Sequence, residues 1–97
     1  MKKSNKQVVK EVNKMFPPVN SEYPICFIRE GETMVIVSGE CEAFETIGDE
    51  KFEIMVCDYY DQYRNTGGVH PILFKYATEL GGYWEWETAG SLVLVRD

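Results

Sequence analysis

The chain has 97 residues, enough for one compact domain, and its 44% hydrophobic and 27% charged content is typical of a folded globular protein, not a disordered or fibrous one. Its net charge of -6 argues against a nucleic-acid-coating role, because phosphate binding needs a concentration of Lys and Arg. The charge is uneven: residues 1–16 carry five lysines against one glutamate, so the remainder is strongly acidic.

The compartment signals predict a cytoplasmic protein without membrane contact. The N-terminal lysines are not followed by the apolar run of a signal peptide. No segment approaches the roughly 18 apolar residues of a membrane span. The three cysteines are an odd number at wide spacing, which favours reduced thiols over a disulfide framework.

The hydrophobic pattern predicts an α+β fold in the order α-β-β-β-β-α-β-β. A capping box at residues 4–7 begins an apolar helical stripe, which Pro17 and Pro18 end. We expect an antiparallel sheet of about 5–6 strands packed against two helices. The predicted elements are a helix over 5–16, hairpins over 23–38 and 41–57, an irregular Tyr-rich connection over 58–70, a helix over 71–80 and a hairpin over 83–96.

The runs 25–28 and 34–37 are apolar without alternation, which indicates strands covered on both faces. Helices on opposite faces would provide this cover. One helix layer together with a second copy of the protein would provide it equally, so a homodimer is one of the two open alternatives.

The register of the C-terminal hairpin decides what its tryptophans contact. A two-residue loop pairs Trp86 with Val93 and Trp84 with Val95. A three-residue loop with a glycine bulge instead places Leu92 and Leu94 on the tryptophan face. The sequence leaves both registers open.

His70 is the single histidine, so any histidine-dependent acid–base step must use it. It follows a glycine pair and precedes Pro71, which places it at or near a helix N-terminus. Cys57 and Asp61 would supply a nucleophile and a carboxylate for a small hydrolase or transferase. No family signature surrounds the cysteine, and a helix-capping histidine explains the same pattern. A non-catalytic role is therefore favoured.

Neither a metal nor a cofactor is expected. The three cysteines and His70 have the chemistry of zinc ligands, but structural zinc sites usually bring their ligands in close pairs, which are missing here. The oxygen-bearing residues of the Tyr-rich connection do not follow the calcium-loop pattern.

Eight of the 13 aromatic residues lie between positions 59 and 86. Tyrosine and tryptophan are enriched at interfaces, although the two tryptophans fit a core equally well. The tyrosines of the connection are the best candidates for a contact surface. The predicted binding surface consists of Tyr59, Tyr60, Tyr63, Arg64, His70, Trp84 and Trp86.

Eight acidic residues and one lysine lie between positions 40 and 61. This acidic segment is either a solvated face or a surface that engages a basic partner, for instance by imitating nucleic-acid phosphates. Its acidic residues are Glu40, Glu42, Glu45, Asp49, Glu50, Glu53, Asp58 and Asp61.

The leading hypothesis is a small, non-catalytic binding protein whose partner is another protein. It would use the Tyr-rich connection and the neighbouring C-terminal hairpin. One alternative is an acidic inhibitor of a nucleic-acid-binding protein, of the kind that phage or mobile elements encode. The other alternative is the small enzyme centred on His70 and Cys57.

Overall fold

The computed structural model describes residues 3–20, 22–29, 34–38, 42–57 and 66–96. Over these ranges the elements follow the predicted order and confirm the α+β class. Neither described helix is long and apolar enough to cross a membrane. The elements are α1 (Asn5–Met15), β1 (Cys26–Ile28), β2 (Val35–Ser38), β3 (Glu42–Ile47), β4 (Glu50–Met55), α2 (Pro71–Glu79), β5 (Gly82–Thr88) and β6 (Ser91–Arg96).

Helix α1 begins and ends where its sequence signals place it. The Ser4 hydroxyl accepts the Gln7 amide hydrogen at 3.2 Å, which satisfies one free donor of the first turn. Val8 and Val12 lie on the buried stripe and are fully buried. The helix ends at Met15, one residue before the predicted end, because Pro17 cannot continue it.

The described strands form two sheets, whereas a single sheet was expected. The larger sheet has the order β1-β2-β6-β5, and β3 pairs with β4 alone. The other edge of β3 is occupied by the chain that follows α1. Phe44 N donates to the Pro17 carbonyl at 2.7 Å, and Val19 N donates to the Glu42 carbonyl at 3.1 Å. Because this edge is taken, the hairpin cannot join the larger sheet through β3.

Both helices pack on one face of the larger sheet. Tyr76 of α2 donates a hydrogen bond to Glu11 of α1 at 3.1 Å, so the two helices are neighbours. Of the two coverings that the apolar strands allowed, the structure therefore has the single helix layer. The core between the layers includes Val8, Val12, Leu73 and Ala77 from the helices and Val35, Val37, Leu92 and Leu94 from the strands.

An ion pair crosses the opposite, outer face of this sheet. Arg29 follows β1 and Glu87 lies in β5, the two edge strands. The guanidinium forms two bonds to the carboxylate, of which Nη1 to Oε2 measures 3.0 Å. The edges are about 14 Å apart, so the side chains meet above the central strands. Ile36 and Val93 pair in the central strands and are only 1% and 6% exposed.

The C-terminal hairpin places leucines on the tryptophan face. Trp84 pairs with Leu94 and Trp86 with Leu92, as the bulged alternative predicted. The register shifts between Trp86 and Thr88, so the extra residue is Glu87 within β5 and not a residue of the turn.

Candidate functional site

His70 caps α2 with its side chain. Its Nδ1 accepts the Ile72 amide hydrogen at 3.1 Å, and its Nε2 lies 2.9 Å from Glu45 Oε1. Because Nδ1 is an acceptor, the ring proton lies on Nε2, which donates to Glu45. Both ring nitrogens are thus engaged, which corresponds to the helix-cap interpretation.

The surroundings of His70 hold the ring in place. The residue is 6% exposed, and the Phe16 ring meets the imidazole edge-on with the centroids 5.0 Å apart. Its backbone nitrogen donates to the Val56 carbonyl at 2.8 Å. His70 therefore joins the end of α1, the chain after β4 and the start of α2.

Of the other candidate catalytic residues, Cys57 alone lies within the described ranges. Cys57 is 1% exposed, and its backbone forms a β-bridge with Val69. Asp61 and Cys41 lie outside the described residues. Within the described ranges, no three His, Cys, Asp or Glu side chains converge as a metal site would require. The Cys57 side chain is buried, and both ring nitrogens of His70 are engaged in hydrogen bonds.

The β3–β4 hairpin is anchored at its root. Ala43 is fully buried and bridges Pro18, while Ile54, opposite it, packs against the core. Two residues further along β3, the Glu45 carboxylate accepts a hydrogen bond from His70. The root of the hairpin is therefore fixed by backbone pairing, apolar packing and a polar contact.

Beyond this root the hairpin is exposed on both faces. On one face, Ile47 is 60% exposed and Phe52 is 43% exposed. They are diagonal neighbours, because Ile47 pairs with Glu50 and Phe52 pairs with Glu45. We call the exposed residues of this arm the hairpin surface: Glu42, Thr46, Ile47, Gly48, Asp49, Glu50, Lys51, Phe52, Glu53 and Met55.

The register divides the acidic segment between two faces. Glu42 and Glu53 share one face of the hairpin, whereas Glu45 and Glu50 share the other, with Asp49 in the turn. The described carboxylates therefore do not form the single strip that phosphate mimicry requires. Glu40, Asp58 and Asp61 of the predicted segment lie outside the described residues.

Most of the predicted aromatic surface also lies outside the described residues, namely Tyr59, Tyr60, Tyr63 and Arg64. Trp84 is 8% exposed, and its indole nitrogen donates to the Leu73 carbonyl at 2.9 Å. Trp86 is half-buried and donates to the Gly67 carbonyl at 2.8 Å. Trp84 is therefore part of the core, and Trp86 packs against it. This is the core role that the sequence left open beside an interface role. The bulge at Glu87 gives the register in which both tryptophans face the helices.

Sequence reasoning missed the exposure of Phe52. Phe52 alternates with Ile54 and Val56, which predicts a shared buried face, but the three residues range from an exposed tip to a buried root. The signal that would have found this is the turn at Gly48 and Asp49, since residues next to a hairpin turn lie far from the root.

Comparison with known proteins supplies no relative. No protein-family model matches the chain, no curated protein matches it, and no solved structure matches it. The function is therefore argued from the geometry of the described residues.

Proposed function

We propose that this chain is a small, non-catalytic binding protein that contacts another protein through its hairpin surface. The observation that carries this proposal is the pair Ile47 and Phe52, two large apolar side chains exposed as diagonal neighbours on one face of an anchored arm. Large apolar residues in a partly exposed cluster are typical anchors of protein interfaces.

The charges around these anchors indicate the chemistry of the partner. Asp49 and Glu50 flank Ile47 at the turn, and Glu53 follows Phe52. The hairpin surface carries four carboxylates against the single ammonium of Lys51. The partner that fits is a protein with an apolar pocket bordered by Lys or Arg, because charges at the rim of an interface select a complementary rim.

The anchoring of the hairpin supports the same proposal. An arm held by Ala43, Ile54 and the contact between Glu45 and His70 loses little conformational freedom on binding. We further propose that the protein works in a reducing compartment such as the cytoplasm. The buried Cys26, which forms no disulfide within the described residues, is consistent with it.

The test is cross-linking of the tagged chain to its partners in cells, with variants that keep the fold. The double variant Ile47→Ala with Phe52→Ala should lose the cross-linked partner. Ile72→Ala, at an exposed apolar residue of α2 outside the hairpin surface, should retain it. Glu50→Gln should weaken binding and reduce its salt dependence. If the double variant recovers the same partner as the wild type, the hairpin surface is not the binding site.

A further inference from the structure

The backbone N–H and C=O groups along the outer edge of β4, the edge away from β3, are a second feature of the hairpin. Among the strands that the structure describes, β4 has a single neighbour, β3. Phe44 and Glu42 direct their backbone groups away from β4, toward Pro17 and Val19. In an antiparallel ladder, hydrogen-bonded pairs alternate with non-hydrogen-bonded pairs. Phe44 and Glu53 form a non-hydrogen-bonded pair, so the backbone groups of Glu53 point away from β3. The same holds for Lys51, two residues before Glu53.

These outward positions carry opposite charges. Lys51 and Glu53 are both exposed and lie on the same face of β4, with the exposed Phe52 between them on the other face. The described residues include no carboxylate within ion-pair distance of Lys51, whose ammonium lies 5.9 Å from the centre of the Phe44 ring. An exposed strand edge is a template for pairing with another strand.

We propose that two copies of this chain pair through β4, antiparallel and around a twofold axis at Phe52. This register places Lys51 opposite the partner's Glu53 and Glu53 opposite the partner's Lys51. Both are hydrogen-bonded positions, so each pair exchanges two backbone bonds. Phe52 lies opposite the partner's Phe52 at a non-hydrogen-bonded position, where side chains approach most closely.

The charge pattern selects this register. Moving the axis by one residue in either direction places Lys51 opposite the partner's Lys51, or Glu53 opposite the partner's Glu53. Like charges directly opposite each other destabilise a strand pair, whereas opposite charges stabilise it. The resulting assembly is a four-stranded sheet in the order β3-β4-β4-β3, closed by symmetry so that no further copy adds to β4.

The contact is small, because it joins two strands of six residues. We therefore expect a transient dimer with a dissociation constant between about 10 μM and about 1 mM. The inference does not depend on the basic partner proposed above, since it concerns the purified chain alone. Ile47→Ala should affect the partner but not the dimer, which separates failure of one proposal from failure of the other.

Sedimentation equilibrium of the purified chain, up to about 1 mM, tests the register by charge exchange. Lys51→Glu and Glu53→Lys each create like-charge pairs and should raise the dissociation constant on the order of tenfold. The double variant, which exchanges the two charges, should restore the wild-type value. A chain that is monomeric throughout, or a dimer that the single variants leave unchanged, would overturn the proposal.

Disulfide trapping is a second measurement that does not rely on charge. At a non-hydrogen-bonded pair the Cα atoms are about 4.5 Å apart, within the range that a disulfide spans. In a Cys41→Ser background, Phe52→Cys should form a covalent dimer under mild oxidation. Ile47 is more exposed than Phe52 but lies on β3, so Ile47→Cys should not. Equal trapping of both variants would contradict the proposed register.

Discussion

Glu45 and His70 lie 25 residues apart in sequence, yet their side chains meet at 2.9 Å between Oε1 and Nε2. This contact fastens the β3–β4 hairpin to the first turn of α2. The imidazole simultaneously accepts the Ile72 amide hydrogen through Nδ1. One buried residue therefore stabilises a helix start and positions the arm that carries the hairpin surface.

The two functions of His70 can be separated by substitution. His70→Ala removes both contacts and should lower the free energy of unfolding by about 1–3 kcal/mol. His70→Asn should recover part of this loss, because asparagine is a good helix cap but is too short to reach Glu45. Urea unfolding of the purified variants measures the difference.

Glu45 provides the matched control. Glu45→Gln retains an oxygen that accepts the Nε2 hydrogen and should change stability little, whereas Glu45→Ala should cost about 1 kcal/mol. Equal loss in both variants would show that the contact needs the carboxylate charge and not merely an acceptor.

The sequence predicted one half of this arrangement. The glycine pair before His70 and Pro71 after it are local signals of a helix start, and they identified the cap. Glu45 carries no local signal, because its role depends on where β3 docks against the chain after α1. That docking is fixed by Phe44 N and Pro17 O, a contact between segments far apart in sequence.

Acid should destabilise the fold through two carboxylates. The hydrogen bond from Lys3 lowers the pKa of Glu11 below its ordinary value of 4.5, and that from Arg29 lowers the pKa of Glu87. A carboxyl whose pKa is lower in the folded state stabilises the fold above its unfolded pKa, and this contribution is lost as the pH falls through the folded pKa. The free energy of unfolding should therefore fall below about pH 4.5.

Glu11→Gln and Glu87→Gln should each be less stable than the wild type at neutral pH and should approach it in acid. Salt is the control. At about 1 M NaCl the differences at neutral pH should shrink, since both pairs are partly open to solvent and are screened. Stability profiles that run parallel to the wild type from pH 7 to pH 3 would contradict this assignment, measured by urea unfolding at each pH.

The thiol of Cys26 should be unreactive in the native protein. Burial raises its pKa to about 12, so the nucleophilic thiolate is almost unpopulated at neutral pH. Cys57 is also buried. In a Cys41→Ser variant, a colorimetric thiol reagent should react slowly with the folded chain and rapidly with both thiols in denaturant. Fast stoichiometric labelling of the native variant would show that this part of the core opens readily.

The larger sheet shows a further limit of sequence reasoning. The apolar runs predicted strands with two covered faces, and Ile36 and Val93 are indeed buried on the face away from the helices. The sequence could not indicate that β2 pairs with β6, because strand order depends on long-range contacts between hairpins that are each locally complete. The ion pair between Arg29 and Glu87 depends on the same strand order, so the sequence could not predict it either.

Asn13 closes the edge of β1 in the manner of a neighbouring strand. Its side-chain nitrogen donates to the Cys26 carbonyl at 2.8 Å, and its oxygen accepts the Cys26 amide hydrogen at 3.0 Å. Cys26 is fully buried, so water cannot replace these bonds. Asn13→Ala should therefore cost about 2–4 kcal/mol of unfolding free energy, since each buried group left unpaired costs about 1–3 kcal/mol.

Asn13→Asp gives a sharper outcome because it changes only the donor. The ionised carboxylate still accepts the Cys26 amide hydrogen but faces the Cys26 carbonyl without a proton to donate. The protonated carboxyl supplies that proton, so its pKa should be higher in the folded state than unfolded, and the loss of stability should shrink as the pH falls through that folded pKa. Asn20→Asp is the matched control, because Asn20 is exposed and only its oxygen is used, to accept the Glu22 amide hydrogen at 3.0 Å. A loss in Asn13→Asp that is independent of pH would show that the edge of β1 does not require the donor.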